Sequence, residues 1–276
     1  MLSAEQQSEL KTRGLTFVRA VISPDEAAEI ERRIWGHLQK RGIERKERAT
    51  WPRGGLVSHL QGLRHAKVFA PFSNDQVFAI VDQLLGAGTW TRPRLEGQAL
   101  ISFPDPGPWE VPRRIWHFDM PARGPIDRFD AVRVFGYAAS VEPQGGATLM
   151  VEGSAELVRR MVARSPKRDA GQSSDARRRL IAQSPWFKAL ISADGDRIKP
   201  FMEDGDEIDG VRVRVVEAIG AAGDVCLMHP WTMHNTAKNC SDRPRMMMTQ
   251  TYARDDNAFY GSEAARERAT ESEEMR

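Results

Sequence analysis

The length and composition of this chain are those of an ordinary globular protein. With 276 residues it can bury a large core, so one domain spanning 1–276 with insertions is reasonable. A net charge of +2 is too small to favour nucleic acid or a membrane surface as a partner, and no apolar run is long enough to span a bilayer. The two cysteines show no metal-site spacing and the N-terminus has no apolar signal segment, so we expect a cytoplasmic protein.

Residues 1–95 carry mainly helical patterns, after a short predicted strand at 14–18. Ser23, followed by Pro24 and two acidic residues, is a typical helix start. The helix that follows has an apolar stripe, and a second helix is predicted at about 75–85. We therefore expect a helix-rich part that packs on whatever follows it.

From residue 96 onward the pattern changes to short strands separated by proline, glycine and aspartate. The candidate strands are 97–103, 131–140, 146–151, 211–219, 224–229 and 245–253. Many short strands after a helical start predict a mainly β fold with flanking helices, as a sandwich or jelly roll whose core spans 96–253.

A long basic segment, 155–205, interrupts the predicted strands. Segments of this length are often lids or disordered, so we expect a mobile, partly helical lid over the pocket mouth. Its positive residues most often form a solvated face; the alternative is that they attract an anionic substrate. The charged end of the chain, 254–276, is predicted to be a solvated helix or tail. The basic residues of the lid-like segment are Arg159, Arg160, Arg164, Lys167, Arg168, Arg177, Arg178 and Arg179.

Three residues suggest a metal site. His117 and Asp119 lie two positions apart, so on a strand they project from the same face, and His234 follows far downstream. Two imidazoles and one carboxylate on one face of a metal form the facial triad of non-haem Fe(II) oxygenases, with neighbouring positions open for a co-substrate and O₂. His229 competes with His234 as the third ligand.

A buried cation is predicted eleven positions after His234. Arg245 is the one charged residue in the predicted strand 245–253. A buried charge without a partner is costly, and arginine binds carboxylates with two parallel hydrogen bonds, so an anionic ligand is the natural explanation. Arg243 is the alternative, although its position in a turn favours solvation.

Several segments together resemble the phytanoyl-CoA dioxygenase family of Fe(II)- and 2-oxoglutarate-dependent oxygenases, over roughly residues 10–253. These segments are WHFD at 116–119, EPQGGATLMVEGS at 142–154, GDVCLMHPWTMHNTAKNCSDRPR at 223–245, and the opening GLTFVRAVISPDEAAEI at 14–30. At 152–155 the chain departs from the family's usual Pro-Gly-Ser-His, which bears on the nearby loop and not on the ligands.

The resemblance implies a double-stranded β-helix, a cupin-like jelly roll, with iron held by His117, Asp119 and His234. It implies that Arg245 pairs with the distal carboxylate of 2-oxoglutarate. Thr236 matches a position that helps to hold the same carboxylate, and Gln98 matches one that touches the co-substrate.

The implied function is oxygenation of a small molecule with Fe(II), 2-oxoglutarate and O₂, most simply hydroxylation of a metabolite with release of succinate and CO₂. Desaturation, epoxidation and rearrangement use the same triad and stay open. A non-catalytic jelly-roll protein that binds a metal or ligand is the rival from another class. Neither the substrate nor the oligomeric state is indicated by the sequence.

Overall fold

The computed structural model of the chain describes residues 1–57, 60–94, 97–257 and 259–260. Most of the predicted charged tail lies outside these residues. The strands within them are β1 (Leu15–Val18), β2 (Gln98–Ser102), β3 (Ala131–Tyr137), β4 (Thr148–Glu152), β5 (Asp206–Ile208), β6 (Val211–Ala218), β7 (Val225–Met228), β8 (His234–Thr236) and β9 (Arg245–Ala253).

The helices fall into an N-terminal group and a group between β4 and β5. The first group is α1 (Ala4–Thr12), α2 (Pro24–Gln39), α3 (Gln61–His65) and α4 (Asp75–Leu85). The second is α5 (Ser154–Arg164), α6 (Ser173–Gln183) and α7 (Pro185–Ser192), followed by a π-helical turn at Lys199–Asp204. No helix in the described ranges is long and apolar enough to cross a membrane.

The strands form two antiparallel sheets. One is five-stranded in the order β1-β7-β3-β9-β2, and the other is four-stranded in the order β5-β6-β4-β8. Side chains from both sheets meet in a buried cluster that includes Tyr137, Met150, Met228 and Met247. Two antiparallel sheets with a shared core and flanking helices confirm the expected jelly-roll fold class.

The outer face of the larger sheet is covered by the N-terminal helices. Ser23 caps α2 in a reciprocal capping box with Glu26, as the sequence indicated for this helix start. The apolar stripe of α2 packs with α4 and with the outward-facing Val132 and Val134 of β3. Because side chains alternate along a strand, Ala131, Arg133, Phe135 and Tyr137 are left to face between the sheets.

The second helical group covers the outer face of the smaller sheet. Leu149 and Val151 of β4 pack in one buried cluster with Val158 of α5 and Phe187 and Leu190 of α7. Thus the apolar faces of the predicted lid-like segment 155–205 are part of the core. Its role as a lid stays a prediction.

Candidate metal centre

The backbone brings His117 and His234 side by side. The His117 N–H donates to the His234 carbonyl at 3.1 Å, and the His234 N–H donates to the His117 carbonyl at 3.0 Å. In β8, His234 lies opposite Met150, a member of the cluster between the sheets, so it faces the interior. The two imidazole centroids are 4.2 Å apart.

Each imidazole is oriented by a backbone carbonyl two residues before it. Nδ1 of His117 lies 3.0 Å from the Ile115 oxygen, and Nδ1 of His234 lies 3.0 Å from the Thr232 oxygen. This arrangement makes Nδ1 the donor in both rings, so in the neutral imidazole Nε2 is the nitrogen left to bind a metal. Burial lowers the pKa of His234 to about 4, so its ring is neutral near pH 7, as a metal ligand must be.

The Asp119 carboxylate completes the group. Its Oδ1 lies 3.9 Å from Nε2 of His117 and 3.5 Å from Nε2 of His234. The ligand atoms of the three residues all lie within 4.8 Å of one another, and this set fits an iron site. His117 keeps about half of its side chain exposed (51 %), whereas Asp119 and His234 are largely buried, so the site opens on the His117 side.

An arginine that sequence reasoning missed contacts the same carboxylate. Nη1 of Arg133 lies 2.7 Å from Oδ2 of Asp119, although Oδ2 is not aligned for a hydrogen bond. The Arg133 Nε donates to Oγ1 of Thr249 at 2.9 Å. The sequence did contain a signal for this residue. Arg133 lies between two valines in β3, and because side chains alternate along a strand, valines that face outward leave the arginine facing the core.

Arg245 is a buried cation with unused donors. Its exposed fraction is 2 %, and Nη1 donates to the Gly146 carbonyl at 2.5 Å. Nε and Nη2 have no hydrogen-bond partner among the described residues, and neither does the buried Oγ of Ser102, which lies opposite it in the register. Burial lowers the pKa of Arg245 to about 10. A carboxylate placed here would satisfy both donors.

The competing arginine has a different environment. The side chain of Arg243 is 79 % exposed, and its Nε lies 3.6 Å from the Asp242 carboxylate. The turn around it is held by Asn239, whose side-chain amide donates to the Arg243 carbonyl at 2.8 Å. A solvated guanidinium gains little from a single carboxylate, so this position is a poor clamp.

The other two residues predicted to contact the co-substrate are Thr236 and Gln98, each at one end of a strand. Thr236 is exposed at the end of β8 and shares the inward face with His234. Gln98 is exposed at the start of β2, directly opposite Thr249 of β9. Gln98 thus lies opposite the threonine that receives the Arg133 hydrogen bond.

His229 does not join the group. It is partly buried, and its Nδ1 accepts a hydrogen bond from the Trp231 amide at 3.0 Å. Its ring packs against Phe129 and Trp231, at centroid distances of 5.5 and 5.2 Å. Burial lowers the pKa of His229 to about 4. The residue shapes the turn between β7 and β8.

Local acids pair with four of the eight residues of the basic run on the second helical group. The acidic partners of its arginines are Glu156 for Arg159 and Arg160, Asp209 for Arg164, and Asp175 for Arg178. These ion pairs favour the interpretation that the basic run is a solvated surface whose arginines pair with nearby acids.

The comparisons with known proteins agree with this architecture. The family model for phytanoyl-CoA dioxygenase matches residues 10–247. The chain belongs to the phytanoyl-CoA dioxygenase family. Among curated proteins, no sequence matches the chain.

Several solved structures are similar to this chain over most of its length. The epimerase SnoN, in complex with Fe³⁺, α-ketoglutarate and nogalamycin RO, is 16 % identical over 91 % of this chain and 82 % of its own, with a TM-score of 0.52. AviO1 from Streptomyces viridochromogenes Tue57 is 14 % identical over 92 % and 95 %, with a TM-score of 0.51. HygX from Streptomyces hygroscopicus, with nickel and 2-oxoglutarate bound, is 15 % identical over 92 % and 88 %, with a TM-score of 0.49.

The departure from the family's usual sequence lies where β4 passes into α5. Glu152 forms ion pairs with Arg13 and Arg214. The Ser154 hydroxyl accepts a hydrogen bond from the Met233 amide at 2.8 Å, beside the distal histidine. The serine of the family pattern therefore supports the β8 strand, whereas Ala155 lies in the first turn of α5 and is buried in the core.

Proposed function

We propose that this protein is an Fe(II)- and 2-oxoglutarate-dependent oxygenase in which His117, Asp119 and His234 hold the iron. The observation that carries the proposal is the convergence of the three ligand atoms within 4.8 Å, with both imidazoles oriented through Nδ1. Two imidazole nitrogens and one carboxylate oxygen suit Fe(II) and leave its other positions open.

Arg245 is the proposed clamp for 2-oxoglutarate. Its two unpaired donors support this role, because a carboxylate between them would remove the cost of burying an unpaired guanidinium. Thr236 shares the inward face of β8 with His234, so we assign it to the same carboxylate. Gln98 is assigned to the co-substrate as well, because it lies opposite Thr249, whose hydroxyl accepts a hydrogen bond from Arg133.

Bound iron would supply the activation of O₂, coupled to decarboxylation of 2-oxoglutarate to succinate and CO₂ and to oxidation of the substrate. The chain's own residues do the positioning. Buried Asp119 and His234 form the closed wall of the site, and half-exposed His117 marks the side from which a substrate approaches.

The proposed substrate is a small-molecule metabolite, and the proposed role is the tailoring of such a metabolite in the cytoplasm. SnoN, which shares the fold, was solved with nogalamycin RO. Glu156, Asp175 and Asp209 pair with four of the eight residues of the basic run, so these four offer little attraction to an anionic substrate.

The test is a panel of metabolites incubated with the protein, Fe(II), 2-oxoglutarate and O₂, with succinate and product mass as readouts. Succinate formation that needs Asp119 and Arg245 supports the proposal. A protein that binds Fe(II) and 2-oxoglutarate but forms no succinate, alone or with any compound of the panel, would favour the rival function of a non-catalytic binding protein.

Epimerisation is a second candidate reaction, because one structure with the same fold is an epimerase. SnoN is described as an epimerase, so this fold is compatible with reactions other than hydroxylation. Product mass separates the alternatives: hydroxylation or epoxidation adds one oxygen atom, desaturation removes two hydrogen atoms, and epimerisation leaves the mass unchanged. We propose hydroxylation as the first of these to test.

A further inference from the structure

Arg133 is held on three sides at the inner face of β3. Its Nη1 lies 2.7 Å from Oδ2 of Asp119, and its Nε donates to Oγ1 of Thr249 at 2.9 Å. Its guanidinium carbon lies 5.7 Å from the centre of the Phe135 ring, two positions along the same strand face. The side chain is 21 % exposed, so this cation is largely withdrawn from water.

The two oxygens of Asp119 face different partners. Oδ1 is the oxygen measured 3.9 and 3.5 Å from the two imidazole Nε2 atoms, whereas Oδ2 is the oxygen next to Arg133. Thus, before any ion binds, Oδ1 already faces the two imidazoles and Oδ2 faces Arg133.

We propose that Arg133 is a positioning residue that occupies Oδ2 of Asp119 and so makes this ligand bind the metal through Oδ1 alone. The inference rests on the metal site proposed above. A carboxylate that bound through both oxygens would take one more coordination position, and a six-coordinate metal with two histidines would keep two open positions in place of three. Chelated 2-oxoglutarate takes two positions, so one-oxygen binding by Asp119 leaves the third for O₂.

The anchors of Arg133 explain why arginine suits this position. Its planar guanidinium contacts Asp119 and Thr249 at once, whereas a lysine ammonium would place one compact charge near only one of them. A cation this close to the site also repels a divalent ion, so tight metal binding alone does not account for its presence. Control of the carboxylate geometry does account for it.

The experiment compares the wild-type protein with Arg133→Met, Arg133→Lys, Thr249→Val and Arg128→Met. Arg128→Met is the matched control, since Arg128 is a cation on the segment between Asp119 and β3 but pairs with Asp130 and Asp256. Each protein is loaded with Co(II) for absorption spectroscopy and with Mn(II) for crystallography. 2-Oxoglutarate is then titrated into the anaerobic Fe(II) proteins to measure its affinity, and its decay without substrate is measured after O₂ is admitted.

In Arg133→Met we expect Asp119 to bind Mn(II) through both oxygens, the Co(II) spectrum to change, and 2-oxoglutarate decay to fall about 10–100-fold, while metal stoichiometry is retained. Arg133→Lys should restore part of the wild-type spectrum. Thr249→Val leaves Asp119 untouched but frees one side of Arg133, so it should show the same change to a smaller degree. It also tests the proposal if Arg133→Met does not fold. Arg128→Met should match the wild type.

Two results would overturn the inference. One is a wild-type Co(II) spectrum and wild-type 2-oxoglutarate decay in Arg133→Met and Thr249→Val, with Asp119 still binding Mn(II) through one oxygen, which would make Arg133 irrelevant to the ligand geometry. The other is complete loss of metal from a folded Arg133→Met protein, because the arginine would then be needed for binding itself. A wild-type protein that binds no Fe(II), Mn(II) or Co(II) would instead overturn the proposed function, and this inference with it.

Discussion

His117 and His234 are joined by two reciprocal backbone hydrogen bonds, of 3.1 and 3.0 Å, although they lie more than a hundred residues apart in the chain. Because the peptide groups themselves set this register, the relative position of the two imidazoles does not depend on a bound ion. The carbonyls that face Nδ1 of each ring then set its rotation. We therefore expect a preformed site.

Replacing any one ligand should abolish turnover and weaken iron binding. The variants are His117→Ala, Asp119→Ala and His234→Ala, and each removes one of three donors from a site that is otherwise intact. Iron content after dialysis and succinate formation are the measurements. His229→Gln is the control and should keep its iron, because His229 lies outside the ligand group; iron loss in this control but not in His234→Ala would show that the ligand assignment is wrong.

Arg245→Met should make the protein more stable but weaken its binding of 2-oxoglutarate. Without co-substrate the wild type buries an under-bonded guanidinium, so we expect the metal-free variant to be more stable by about 1–2 kcal/mol in denaturant unfolding. Its binding of 2-oxoglutarate should weaken by about 2–5 kcal/mol in titration, since a buried charge partner is lost. Iron should still bind.

The control for this pair of effects is Arg243→Met, which removes an exposed guanidinium two positions away. We expect it to change neither stability nor 2-oxoglutarate affinity appreciably. If Arg243→Met lost 2-oxoglutarate binding while Arg245→Met kept it, the clamp would have to be reassigned to the exposed turn.

Acid sensitivity should depend in part on His229. Burial lowers the pKa of this imidazole from 6.5 to about 4, so the unfolded chain takes up its proton at higher pH than the folded protein does. Stability should therefore be unaffected by this group above about pH 6.5 and should fall progressively toward pH 4, by about 3 kcal/mol in all. His229→Gln does not titrate, so it should lose less stability over this window in urea unfolding at a series of pH values.

The segment 155–205 remains a predicted lid, and its contacts suggest where to look. Residues 122–124, just after Asp119, exchange backbone hydrogen bonds with residues 168–171 of the segment. If the segment responds to substrate, amide hydrogen exchange around 165–175 should slow when a verified substrate joins Fe(II) and 2-oxoglutarate without O₂. Unchanged exchange there would remove the lid hypothesis and leave the iron site as it is.

Local patterns were sufficient for many elements of this fold, although helix α1 and strands β5 and β8 were not predicted. The helix predicted at 75–85 is observed as Asp75–Leu85, and the strand at 245–253 as Arg245–Ala253, because apolar periodicity and turn residues act within a few positions of the chain. The predicted burial of Arg245 followed from the same logic, since one charge in an apolar strand must face the interior or an edge. Spacing and family resemblance together selected the three ligand candidates.

Only the tertiary structure decided which side chains from distant segments contact each other. The contact of Arg133 with Asp119, and the acids that pair with the basic run, depend on register and helix packing between segments distant in sequence. Periodicity reports which face of an element a residue occupies, but it carries no information on what lies across from that face. For this reason the sequence by itself determined the fold class and the ligand candidates, whereas the contact of Arg133 with the Asp119 carboxylate emerged only once the strands were placed side by side.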